Sequence, residues 1–304
     1  MTPEADSPRP TSPAPAGSDF ARAGIVPARY SRWFLHGFGK FVRGMFRRKF
    51  FAVRWTPESP RAFEGLTETN RPVIVALNHS AWWDPLVGVL LHTRMMPTRE
   101  PIVPMDAREL AKFGFFRRLG LFGIEPERDD AAQAMSDYVL GRLARYESGA
   151  APVPQGRNAD HAGAFWITPQ GSFADVRDEI RLRPGAAMVA ARLKDPVVIA
   201  LAIEYAFWLD QKPEAFFRCV RVTPPAAESS TAAWHRALTR AMQDNQAKLA
   251  EAVISRDPAR FSVLEGAGAA RINPVMDLWL RLRGQRASLT DRAREGQING
   301  AGAR

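Results

Sequence analysis

Between residues 50 and 225, short apolar runs alternate with helical patterns. That alternation leaves few architectures open. "FFAVRW", "PVIVALN", "LFGIE", "AFWITPQG", "PVVIALAIEYAF" and "FFRCVRV" read as strands. Helices lie between them. Pro85 takes an early position in a helix continuing through "LVGVLLH". Asp106-Ala-Arg-Glu109 resembles a capping box that opens a helix carrying Leu110, Phe113 and Phe116, and Gly120 stops it. Asp129 or Asp130 caps "AAQAMSDYVLGRLARY", "PGAAMVAARL" is helical, and "STAAWHRALTRAMQDNQAKLAEAVI" is a long helix with mixed charge on its exposed side. Strands alternating with helices predict an α/β fold, a mixed sheet flanked by helices on both faces.

Around that core the composition shifts. Residues 1–20, rich in Pro, Ser and Ala, read as a disordered tail that lacks the pattern of a secretory signal. Residues 21–49 read as a basic amphipathic helix, 50–225 as the α/β domain, 226–283 as a helical segment closing with "NPVMDLWLRLRG", and 284–304 as a loose tail. Of 304 residues 46% are hydrophobic, enough for a packed body, and a single cysteine, Cys219, fits a core position in a reducing, cytoplasmic setting. The net charge of +10 calls for an anionic partner: a phospholipid surface, a phosphorylated substrate or nucleic acid. Scattered histidines with one cysteine give no metal-ligand spacing, and no nucleic-acid-binding motif occurs.

From Phe20 to Pro57 there is no acidic residue. Tyr30, Phe34, Phe38, Phe41 and Met45 recur at spacings of three and four, while Arg32, His36, Lys40, Arg43 and Arg47 fall on or near the opposite side. An aromatic stripe backed by cations suits the boundary of an anionic bilayer, and predicts peripheral attachment to the inner face of the cell membrane. On this reading, loss of residues 1–48 weakens lipid binding and leaves the fold intact.

"VALNHSAWWDP" carries the chemistry. Asn78 and His79 stand where a strand gives way to a helix, the place where α/β proteins meet ligands. An imidazole is the side chain best suited to take a proton near neutral pH, and a carboxylate on its far nitrogen orients it. Asp84 can supply that carboxylate if the intervening residues turn back into the helix. Trp82 and Trp83 suit either an interface where lipid chains enter or simple core packing. No G-x-S-x-G elbow is present, so a nucleophile would come from the substrate.

The N-H-x4-D block resembles that of the glycerolipid acyltransferases, the 1-acylglycerol-3-phosphate and lysophospholipid acyltransferase family. "GLFGIEPER" resembles that family's second block, with Arg128 in the arginine's place. "ITPQGSFADVR" stands where F-P-E-G-T-R-S is usual: Pro169 and Gly171 match, Ser172 replaces Thr, Gln170 replaces Glu, and the nearest arginine is Arg177. "DPVVIALAI", with Pro196, resembles the fourth block. The likeness spans about residues 50–225. It implies a glycerol-phosphate-acyltransferase-like fold and a role in phospholipid biosynthesis. The activity implied is acyl transfer from acyl-CoA or acyl carrier protein to a lipid hydroxyl, with no metal, no prosthetic group and no acyl-enzyme. His79 is the implied base and Asp84 its orienting partner. Asn78, Arg128, Pro169, Gln170, Gly171 and Ser172 are the implied acceptor-binding residues. A glycine lets backbone amides approach an anion, and a guanidinium pairs with phosphate. The neutral Gln170 predicts an acceptor other than lysophosphatidic acid: a lysophospholipid of another head group, or a glycolipid-like alcohol. The alternative is a basic protein that binds nucleic acid or membrane without catalysis.

Overall fold

The structure is a computed structural model, and it describes residues 23–147, 162–208, 210–225, 229–266 and 282–283. Eight strands form one sheet: β1 (Ala52–Trp55), β2 (Val73–Leu77), β3 (Arg99–Asp106), β4 (Leu121–Ile124), β5 (Ala162–Ile167), β6 (Val197–Ala206), β7 (Glu214–Arg221) and β8 (Ser262–Gly266). Their order is β4-β3-β5-β2-β6-β7-β1-β8. The β6–β7 and β1–β8 pairs are antiparallel and the others parallel, so the sheet is mixed. Six α-helices accompany it among the described residues: α1 (Arg32–Lys49), α2 (Asp84–Met95), α3 (Ala107–Lys112), α4 (Ala131–Glu147), α5 (Gly185–Arg192) and α6 (Thr231–Ile254). None is long and apolar enough to cross a membrane.

Strand β2 explains the layering. All five of its residues are buried. Val73, Val75 and Leu77 face one core, with α1 and α2. Ile74 and Ala76 face a second, with α4, α5 and α6. A strand that alternates sides with period two yet is apolar on both must lie between two helical layers. Each fully buried aliphatic or aromatic side chain contributes about 1.5–3 kcal/mol, so β2 anchors the molecule.

Both regions flanking residues 50–225 pack on the sheet. The segment after residue 225 is no appendage: α6 packs on the sheet through Trp234, Leu238, Met242 and Leu249, and β8 pairs with β1. Helix α1 packs on the protein through a face of its own. Leu35, Gly39, Val42 and Phe46 form a third face, neither the aromatic nor the basic one, and this face is buried against the sheet and α2. At Gly39 a Cβ would lie 2.8 Å from Thr93 Cγ2, so the helices meet where α1 has no side chain. The arginine row is anchored as well. Arg47 donates to the buried Glu265 of β8 at 2.8 Å, Arg94 at 3.0 Å, and Arg43 pairs with the same carboxylate. Removing residues 1–48 would therefore uncover core, against the expectation that the fold survives. The tails 1–20 and 284–304, "NPVMDLW" and the loop before β5 lie outside the described residues.

Candidate active site

The strand order makes the β2–β5 pair the switch point of the sheet. From β2 the chain leaves through α2, in the first helical layer, toward β3. From β5 it leaves through α5, in the opposite layer, toward β6 on the other side. Two neighbouring parallel strands whose connections depart in opposite directions open a gap at their C-terminal ends. The loops 78–83 and 168–184 meet there. His79 N–H donates to Gln170 Oε1 at 2.8 Å, and Ala174 N–H donates to the His79 carbonyl at 2.8 Å.

Asp84 organises its loop. It is the first residue of α2, its side chain is wholly buried, and Oδ2 accepts from Ser80 N–H at 2.7 Å and Ala81 N–H at 2.9 Å. The four residues between His79 and Asp84 thus wind once around the carboxylate. The same oxygen lies 2.9 Å from His79 Nδ1. The other oxygen accepts from Tyr205 Oη at 2.8 Å. Since every partner makes Asp84 an acceptor, Nδ1 carries the proton and Nε2 has the lone pair. Nε2 has no hydrogen-bond partner among the described residues, and the His79 side chain keeps 18% of its surface exposed. Burial and the neighbouring Asp84 raise the Tyr205 hydroxyl well above its ordinary value, so it stays a proton donor.

The other expected residues divide. Asn78 sits beside the dyad but is used by the backbone: its amide donates to Ile203 O at 2.9 Å and accepts from Ile203 N–H at 2.7 Å. The β2–β6 ladder ends at Leu77–Leu201, and the Asn78 side chain adds one more rung. Both ends of the amide thus serve the backbone, and each keeps one further hydrogen-bonding position. Gln170 spends its carbonyl oxygen on His79 and leaves its NH2 for a ligand. Pro169 is buried, its carbonyl accepting from Arg183 N–H at 2.7 Å, while Gly171 and Ser172 are exposed. Gly171 has φ +74°, and a Cβ there would lie 2.6 Å from Arg183 Nε. Arg128 follows β4, two strands beyond β5, and its guanidinium is held by Asp130 at 2.8 and 2.9 Å. No hydrogen bond or ion pair joins it to the dyad loop. Arg177 likewise closes on Asp175. The tryptophans split: Trp83 packs on Phe46 and Phe50, and Trp82 is exposed.

Two further residues touch the dyad, and a third lies on the neighbouring loop 168–184. Tyr205 comes from β6. Phe173 stacks on the His79 ring with centroids 4.0 Å apart and is largely exposed, so it forms an apolar wall. Arg183 is exposed, lies against Gly171 and has no acidic partner among the described residues. Only Arg183 had a possible signal in the sequence, as a cation just ahead of "PGAAMVAARL". Tyr205 lies 121 residues from Asp84 and carries no local mark.

No known family model matches the chain, and no curated protein matches it.

Proposed function

We propose that the protein is an O-acyltransferase that moves a fatty acyl group from a thioester, acyl-CoA or acyl carrier protein, to the hydroxyl of a lysophospholipid or related lipid alcohol. The observation that carries this reading is a histidine just past the end of β2 whose Nδ1 is fixed by a buried carboxylate, and whose Nε2, on a partly exposed ring, has no hydrogen-bond partner among the described residues. Nε2 takes the proton of the acceptor hydroxyl as its oxygen attacks the thioester carbonyl. The imidazolium is stabilised by Asp84. When the tetrahedral intermediate collapses, the C–S bond breaks and Nε2–H returns the proton to the departing sulfur. The acyl group passes directly, with no acyl-enzyme.

The surroundings support a lipid acceptor. Phe173 and the exposed Trp82 flank the dyad with apolar surface, as an alkyl chain entering from a bilayer needs. Arg183 and the Gln170 amide give the polar head a cation and a neutral donor. With Gln170 so placed, a lysophospholipid other than lysophosphatidic acid, or a glycosylated alcohol, fits best. The site would work from the inner face of the membrane, to which the protein is held peripherally.

The test is to incubate the purified chain with labelled acyl-CoA or acyl carrier protein and a panel of lysolipids and glycosylated alcohols. Acylated product from wild type and none from His79→Ala is expected. Absence of transfer to every acceptor in the panel, or turnover surviving in His79→Ala, overturns the reading.

A further inference from the structure

Helix α1 and the 3-10 turn Gly114–Leu119 are far apart in sequence and adjacent in space. The chain ahead of α1 fastens them together: Arg29 and Ser31 N–H groups donate to the carbonyls of Arg117 and Arg118, both at 2.9 Å, and Arg117 Nε donates to Pro27 O at 2.8 Å. Their rings make one continuous surface. Phe115 lies 6.3 Å from Phe34 and 6.2 Å from Phe38, Phe38 lies 5.8 Å from Phe41, and Phe116 lies 4.4 Å from Phe115 and 5.6 Å from Phe113. Much of it faces solvent, with Phe41 61%, Phe113 47% and Phe115 43% exposed. Neither 23–57 nor 110–124 contains an acidic residue. Lys40 and Arg48 of α1 and Arg118 of the turn are exposed and have no acidic partner among the described residues, and Arg118 lies 5.8 Å over the Phe34 ring.

We propose that this joint face of α1 and the 114–119 turn is a preformed docking surface for an anionic bilayer. Rings enter the acyl boundary while the flanking cations meet lipid phosphates, and the absence of acidic groups removes repulsion. The hydrogen bonds between the two segments fix the rings before contact, so little ordering is lost on binding. The face gives the membrane contact named above a definite surface on both segments, and it stands apart from the acyl-transfer reading, because vesicle binding needs no turnover.

The experiment uses the full chain with vesicles of phosphatidylcholine, with and without phosphatidylglycerol. Cosedimentation with the anionic vesicles is expected, weakened by salt and small with neutral ones. Joint replacement Phe41→Ser, Phe113→Ser and Phe115→Ser should lower partition about tenfold or more. Phe207→Ser with Ile254→Ser, exposed apolar residues outside both segments, should leave it unchanged, as should His79→Ala. A polarity-sensitive dye on Phe113→Cys, with Cys219 buried and unreactive, should shift to the blue only with anionic vesicles. Equal binding by the triple serine variant, equal loss in the Phe207/Ile254 control, an unshifted dye, binding to duplex DNA in place of vesicles, or a dimer sealed by these rings would each overturn the proposal.

Discussion

One histidine stands just ahead of α2 and another in its last turn, and their surroundings are opposites. His92 is sealed. Trp166 Nε1–H donates to its Nδ1 at 3.0 Å, and because an indole nitrogen can only donate, His92 Nε2 holds the proton and gives it to Arg99 O at 2.9 Å. Both ring nitrogens are used, and burial lowers its pKa to about 4. His79 holds its proton on the other nitrogen and leaves the remaining one open. The lesson is that a buried imidazole with two partners is a structural strut, whereas one with a fixed side and a free side is equipped to exchange protons. Arg99 makes the same point for cations. It is buried among the carbonyls of Leu66, Thr69, Arg71 and Gly163 at 2.6 to 3.0 Å, its pKa lowered to about 10 by burial, and it binds the loop before β2 to the sheet. Arg183, by contrast, is exposed and its guanidinium has no hydrogen-bond partner among the described residues.

The contrast can be broken in order of size. His79→Ala should cut turnover about 1000-fold or more, and Asp84→Asn roughly 100-fold or more, the former with little change in melting temperature. Equal loss of stability in His79→Ala would erase the distinction. Arg99→Met should do the reverse, costing about 3 kcal/mol or more in denaturant unfolding, because it removes the donor from two buried carbonyls, Leu66 and Gly163, and from two half-buried ones, Thr69 and Arg71. His92 should give an acid-sensitive slope. Its folded value of about 4 lies below the ordinary 6.5, so the unfolded chain binds more protons between those limits. Stability then falls as pH drops from 6.5 toward 4, by at most about 1.4 kcal/mol per pH unit. His92→Gln, which cannot titrate, should flatten that slope when unfolding midpoints are measured across the window. Tyr205→Phe is the mildest: about a tenfold loss of kcat with acceptor KM unchanged, as one of four hydrogen bonds to Asp84 disappears. A change confined to KM would make Tyr205 part of the acceptor pocket instead.

Much of this was legible in the residues. The His79–Asp84 contact could be foreseen because both partners lie within one turn of chain, and Pro85 marked the helix that follows. Gly120 ends the 114–119 turn at φ +90°, where a Cβ would lie 2.0 Å from Pro101 O. Strand β3 escaped because Pro101 and Pro104 read as breakers, although its partners accept them inside the sheet. β8 escaped because it is short and half exposed, and its place depends on Glu265 meeting arginines from two other helices. The aromatic stripe of α1 was visible, but the buried stripe beside it was weaker, built from Leu35, Gly39, Val42 and Phe46. Tyr205 was hidden for a simpler reason: tertiary contacts have no period.

The Glu265 grip also sets an order of events at the ribosome. Arg47 and Glu265 are 218 residues apart, which at about 5–20 residues per second is roughly ten to forty seconds of synthesis. Through that interval the first helix has emerged while its carboxylate does not yet exist. The newborn chain is then at its most cationic end-first, and could rest on a lipid surface before its last strand locks the helix into place.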